Sequence, residues 1–202
     1  HVRLGARVVP FSGWELPVQY TGLRQEHEAV RTAAGIFDVS HMGEFSITGP
    51  NALQFLQKVT INDVSKLNVG QAQYSAMCYP DAGIVDDLIL YRKSEGYFMV
   101  VNAANIQKDF DWISQHIPND THVEDISSNI SLVALQGPRS RELLSKFTDV
   151  NLEMPFYTFK EGPVCGLSVM VSRTGYTGEL GFEIYASKEA VITIWNELIK
   201  AG

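Results

Sequence analysis

Apolar residues fall into short runs separated by Gly, Pro and Asp, and two of these runs follow one plan. Phe45-Ser-Ile-Thr-Gly-Pro-Asn-Ala-Leu-Gln-Phe-Leu56 and Leu132-Val-Ala-Leu-Gln-Gly-Pro-Arg-Ser-Arg-Glu-Leu-Leu144 each read as an apolar strand, a Gly-Pro step and an amphipathic helix. Pro50 and Pro138 stand where the first helical turn begins, a position at which the missing N–H costs nothing. Two copies of one plan suggest an internal duplication.

After the first copy, apolar patterning predicts strands over 73–79, 84–91 and 97–102, the first two joined by the turn Asp81-Ala82-Gly83. A helix over 104–116, carrying Ile106, Phe110, Trp112 and Ile113, and a strand over 129–135 complete a β-α-β-β-α-β order, that of a ferredoxin-like unit. The second copy predicts a helix over 140–147, strands over 164–172 and 182–185, and a final helix over 190–201 with Val191, Ile194, Trp195, Leu198 and Ile199 at helical spacing. Short turns between strands imply antiparallel pairing, so the expected fold class is α+β: duplicated ferredoxin-like antiparallel sheets with packed helices. The expected domains are a leading loop-and-helix segment, 1–42, a first repeat, 43–128, and an incomplete second repeat, 129–202.

Candidate chemistry concentrates in two places. In Ser172-Arg-Thr-Gly-Tyr-Thr-Gly-Glu-Leu-Gly-Phe-Glu-Ile-Tyr185, three glycines at a spacing of three follow the apolar run Val169-Met170-Val171, which predicts a strand that turns sharply and returns. Alternation puts Phe182 and Ile184 on one face and Glu183 and Tyr185 on the other. With Phe182 and Ile184 in the core, Glu183 points into the cleft the glycines open; the alternative is a hairpin with solvated carboxylates. The second place is Ile84-Val-Asp-Asp-Leu-Ile-Leu-Tyr91, where Asp86 and Asp87 interrupt an aliphatic strand on opposite faces. One of them then lies on an otherwise buried face and needs a partner or ligand to offset its desolvation; the alternative is that both stay wet beside the turn. Tyr74 lies near their register, and Met42 sits in Asp38-Val-Ser-His-Met-Gly-Glu-Phe45. Both side chains suit either a sandwich around a planar heteroaromatic ring or an ordinary core.

Composition narrows the classes. A net charge of -7 with scattered Lys and Arg gives no basic patch and argues against nucleic-acid binding. No apolar run approaches the roughly 18 to 20 residues of a membrane helix and no signal-peptide pattern leads the chain, so a cytosolic location is expected. Cys78 and Cys165 lack CxxC spacing and read as buried free thiols, and the five histidines are too dispersed for a metal cluster; no metal is expected. A helix followed at once by Gly202 looks like the end of an excised piece.

Several motifs together, Gly13-Trp-Glu-Leu-Pro-Val-Gln-Tyr20, Gly35-Ile-Phe-Asp-Val-Ser-His-Met-Gly43, Gly83-Ile-Val-Asp-Asp-Leu88, Ala134-Leu-Gln-Gly-Pro138 and Ser172-Arg-Thr-Gly-Tyr-Thr-Gly-Glu179, resemble the T-protein family of the glycine cleavage system, tetrahydrofolate-dependent aminomethyltransferases. The motifs occur in family order along the whole chain. The resemblance implies the family's folate-binding fold, a chain that continues beyond Gly202, and tetrahydrofolate as co-substrate. It also implies lipoylated H-protein as partner, with a functional link to the glycine decarboxylase P-protein and to the L-protein, and no nucleic acid or membrane. The implied location is the cytoplasm of a bacterium, which is favoured, or the mitochondrion of a eukaryote.

Residue by residue, the resemblance makes Asp87 the catalytic carboxylate and Met42, Tyr74, Asp87, Tyr176 and Glu183 the folate-binding set, with Asn102 and Arg173 as further candidates. Its chemistry needs these two acids to meet one bicyclic ring. Arginines used by the family lie beyond residue 202, so this stretch alone is expected to grip folate poorly and to be catalytically silent. Three competing readings stand beside it: the folate-binding region of a dimethylglycine or sarcosine dehydrogenase, a related iron-sulfur assembly factor without catalysis, and a folate-binding scaffold.

Overall fold

The computed structural model describes residues 1–202. The leading segment forms a hairpin of β1 (Arg7–Phe11) and β2 (Trp14–Gln19), a helix α1 (Leu23–Thr32) and a short strand β3 (Gly35–Asp38). The first Gly-Pro copy supplies β4 (Gly43–Thr48) and α2 (Ala52–Val59), followed by β5 (Ala72–Cys78), β6 (Ile84–Lys93), β7 (Gly96–Val101), α3 (Ile106–Ser114) and β8 (His122–Asp125). The second supplies β9 (Ser131–Gln136) and α4 (Ser140–Leu144), followed by β10 (Phe159–Val164), β11 (Leu167–Ser172), β12 (Gly181–Ala186) and α5 (Lys188–Ala201). The chain divides into two compact units, one of Met42–Ile130 with Tyr157–Phe159, the other of His1–His41, Ser131–Phe156 and Lys160–Gly202.

Each unit is built on a five-stranded sheet. In the first the order is β5-β6-β7-β4-β8 with every pairing antiparallel, and Phe45, Ile47, Leu88, Leu90 and Met99 form a core with Phe55 and Leu56 of α2 and Ile113 of α3. In the second the order is β10-β11-β12-β9-β3, and Val133, Leu135, Val171, Phe182 and Ile184 pack with Ile194, Trp195 and Leu198 of α5. Position for position the orders match: the strand after the short helix, its hairpin partner, the third strand, the Gly-Pro strand, an edge. The expected duplication of α+β sheets is therefore present.

Two edge strands differ from the sequence reading for one reason. The first sheet closes with His122–Asp125, not with residues 129–135, which open the second sheet as β9. An edge strand pairs on one side only, and His122-Val-Glu-Asp carries a single apolar residue, too little for a period-two signal. The matching edge of the second sheet is β3, drawn from the leading segment that the sequence reads as loop and helix. The expected strand over 164–172 is broken at Cys165 and Gly166, both at positive φ, and Pro163 is tolerated because β10 is an edge.

The Gly-Pro step explains how each edge strand is held. Gly49 has φ +107°, and a Cβ there would stand 2.1 Å from the carbonyl oxygen of Asp120, just before β8; Gly137 has φ +123°, with the Ala33 carbonyl oxygen, just before β3, at 2.5 Å. Only glycine fits both the conformation and the approach. Gly49→Ala should therefore lower the unfolding free energy of the full-length protein by about 3 kcal/mol in urea titration. A change under about 0.5 kcal/mol, the size of an ordinary surface substitution, would contradict this reading.

Candidate functional site

In the first unit the parity of β6 separates the two acids. Leu88 pairs with Val101 and faces the helices, so Asp86 shares that face and Asp87 the opposite one. Asp86 is 7% exposed, so the alternative of two wet carboxylates beside the turn does not hold. On the other face, Tyr74 is directly opposite Ile89, one pleat from Asp87, and its hydroxyl donates to Asp87 Oδ2 at 2.6 Å. Asn102, immediately after β7, donates through Nδ2 to Asp87 Oδ1 at 2.7 Å and to Asp86 Oδ1 at 3.1 Å. Both oxygens of Asp87 are thus held, and the half-buried carboxylate keeps lone pairs for another donor. Met42 lies at the register level of Asn102, one residue before the Gly43–Val101 pair, and is half-buried.

Below the sheet, Asp109 of α3 is completely buried. Burial first, and then a hydrogen bond with Asp86 and the negative charge of that carboxylate, push the Asp109 carboxyl up to about 8, only partly opposed by Lys108 at 3.8 Å. Burial alone would raise Asp86 as well. Hydrogen bonds from Asp109, Asn102 and Asn105 and from the Asp87 backbone N–H outweigh it and hold Asp86 below the ordinary carboxylate value.

In the second unit Phe182 and Ile184 lie in the core, which leaves Glu183 and Tyr185 sharing the other face of β12 as alternation predicts. Glu183 is not simply solvated: the Thr174 hydroxyl donates to it, and the Tyr185 hydroxyl lies 3.4 Å away. Burial raises its pKa, with these two hydrogen bonds opposing the shift. The expected sharp turn is instead the eight-residue loop 173–180. Its spine is Gln136 at the end of β9, which donates to the carbonyls of Thr174 and Phe182 and accepts from the Thr177 hydroxyl at 2.8 Å. A Cβ on Gly175 or Gly181 would stand 2.1 or 2.2 Å from the nearest atom of the Gln136 side chain, so these glycines make room for it. Arg173 closes the loop by donating to the Gly181 carbonyl at 3.1 Å, its guanidinium over the rings of Phe156 and Phe182.

Tyr176 is fully exposed on this loop, beside Thr177 and Glu179, which Arg31 binds at 2.7 and 2.9 Å. The structure thus joins Tyr74 and Asp87 directly and adds Asn102. It surrounds Glu183 with Thr174 and Tyr185, and leaves Tyr176 apart from that cluster. The sequence reading missed Thr174, Gln136 and Asp109, although Asp109 stands at helical spacing among Ile106, Phe110 and Ile113, a charge on an apolar stripe. No group of three or more His, Cys, Asp or Glu side chains is placed to hold a metal ion.

Known proteins share the sequence and the fold of this chain. The profile described as the GCVT N-terminal domain matches residues 1–202. An aminomethyltransferase of Geobacillus sp. (strain WCH70) is 51% identical, over 99% of this chain and 56% of its own, and that of Chloroherpeton thalassium 53% identical, over 100% and 57%. The chain therefore spans little more than half the length of these relatives. The glycine cleavage system aminomethyltransferase T of Bartonella henselae superposes with a TM-score of 0.91 at 35% identity, covering 98% of this chain and 55% of that one. A heterotetrameric sarcosine oxidase from Corynebacterium sp. U-96 shares the fold, at a TM-score of 0.60 and 17% identity. With the family profile matched over its whole length, the chain belongs to the GCVT N-terminal domain family.

Proposed function

We propose that these residues are the N-terminal part of the tetrahydrofolate-dependent aminomethyltransferase of a glycine cleavage system. In that reaction the lipoyl arm of H-protein presents a sulfur-bound aminomethyl group. The methylene carbon passes to N5 and N10 of tetrahydrofolate, and the two hydrogens displaced from those nitrogens leave in ammonia and in the freed thiol. The proposed partners are lipoylated H-protein and, through it, the P- and L-proteins. The bacterial relatives favour a bacterial cytoplasm, and no helix is long and apolar enough to cross a membrane.

The observation that carries this reading is the arrangement of Asp87, gripped at both oxygens by Tyr74 and Asn102 and still half-buried at the sheet surface. An acceptor-only carboxylate fixed in this way is pre-organised to hold an N–H donor and to stabilise positive charge developing at the reacting nitrogens and carbon. Glu183 takes amino and ring N–H donors of the pterin, which return its carboxyl toward the ionised form by supplying charge-assisted hydrogen bonds. Met42, Tyr74 and Tyr176 supply the sulfur and ring surfaces for stacking.

Ammonia release from aminomethylated H-protein and tetrahydrofolate tests the proposal. The full-length protein should turn over, and residues 1–202 alone should be silent. Absence of folate-dependent release by the full-length protein refutes the activity, and equal turnover by the two refutes the dependence on the rest of the chain.

A further inference from the structure

We propose that Asp86 and Asp109 share one buried proton between β6 and α3, and that this pair is a positioning device for Asn102 and, through it, for Asp87. The inference rests on the proposed folate chemistry for its kinetic consequences, though not for the proton itself.

With both carboxyls ionised, Asp86 Oδ2 and both oxygens of Asp109 would be buried without any donor. Neither side chain has solvent to fall back on, Asp109 being 0% exposed and Asp86 7%. One proton on Asp109 donated to Asp86 removes both the missing donor and the repulsion of two like charges. Lys108 tolerates the remaining negative charge from one side: its Nζ donates to the Val85 carbonyl at 2.5 Å and stands 3.8 Å from Asp109 Oδ1. Asp87 is the third acid whose charge reaches Asp109, and it favours retention of the proton.

The consequence runs through Asn102. Its amide nitrogen lies between Asp86 Oδ1 and Asp87 Oδ1, and each of its two hydrogens has a carboxylate to serve. Asp86 therefore dictates which end of the amide faces Asp87. When Asp109 loses the proton, Asp86 has a more negative neighbour and only amide and backbone donors, so it draws the Asn102 amide toward itself and loosens the grip on Asp87. A raised acid of this kind also costs folding stability as pH rises from the ordinary carboxylate value toward about 8, because the folded chain keeps a proton that the unfolded chain has released.

Steady-state kinetics of the full-length protein from pH 6 to pH 9.5 decide the role. Wild type should lose kcat above pH of about 8. Asp109→Asn, whose amide donates to Asp86 at every pH, should keep kcat at pH 7 within about threefold and lose that alkaline limb. Asp86→Asn should lower kcat at least tenfold at all pH values with the folate KM within about threefold, a split that a purely structural role would not produce. An unchanged alkaline limb in Asp109→Asn, or wild-type kcat in Asp86→Asn, overturns the positioning role.

The proton has its own readout. An infrared band of a protonated carboxyl that titrates near pH 8 in wild type and vanishes in Asp109→Asn supports the shared proton, and its absence from wild type overturns it, including where a variant does not fold. A full-length protein without aminomethyl transfer at any pH refutes the functional reading instead, and the shared proton then stands or falls on that band.

Discussion

Asp87→Asn in the full-length protein should lower kcat for ammonia release by about 10²- to 10³-fold while leaving the thermal midpoint close to that of wild type. Both oxygens of Asp87 receive donors, from Tyr74 at 2.6 Å and Asn102 at 2.7 Å. An asparagine keeps the shape and one acceptor oxygen, but its NH2 group must face one of those two donors. It also removes the negative charge that opposes positive charge at the reacting centre, the contribution expected to dominate in a partly dehydrated site. Stability should change little, because Asp87 is only half-buried and its strand is held by backbone pairing to both neighbours. Turnover within threefold of wild type would remove Asp87 from the chemistry and leave a scaffold reading in its place.

Glu44→Leu should stabilise the full-length protein by about 1–3 kcal/mol at pH 7, an unusual direction for a substitution in a buried strand. Glu44 is 0% exposed, and neither of its carboxyl oxygens has a hydrogen-bond partner. Burial and the neighbouring Asp125 carboxylate push its carboxyl from 4.5 up to about 9. Between those values the folded chain retains a proton that the unfolded chain has released, so stability is lost as pH rises through the window. At pH 7 the penalty is on the order of 3 kcal/mol. The corresponding position in the second sheet, five residues before the Gly-Pro glycine, is Leu132, which shows that this strand plan accepts leucine. Denaturant titrations should show the variant gaining at pH 7 and losing most of that advantage near pH 4; part of the pH slope remains because Asp109 titrates in an overlapping window. A variant no more stable than wild type at pH 7, with an unchanged slope, would show that Glu44 is ionised or solvated in the folded chain.

The Gly-Pro repeat, the strands β5, β6 and β7 of the first sheet and α5 are legible in the sequence because each buries a face, and burial writes a periodic apolar pattern. The edges formed by β8 and β3 are not legible. His122–Asp125 and Gly35–Asp38 are held by backbone pairing to β4 and β9 and by the close approach of Gly49 and Gly137, interactions that require few apolar side chains. The opposite facing of Asp86 and Asp87 follows from alternation. What distinguishes them chemically does not: it depends on Asn102, just after β7, and Asp109 from α3, which lie 15 or more residues away along the chain. The loop 173–180 and its flank announce themselves through glycines, yet the reason for Gly175 and Gly181 is the Gln136 side chain, contributed by β9 of the same sheet.

The proposed chemistry requires a reduced folate to be bound at Asp87, the carboxylate gripped by Tyr74 and Asn102. A crystal structure of the full-length protein with tetrahydrofolate measures this directly. The account predicts the reacting nitrogens of the pterin within hydrogen-bond distance of the Asp87 carboxyl group. A folate bound elsewhere, or not touching Asp87 while the protein turns over, would contradict it.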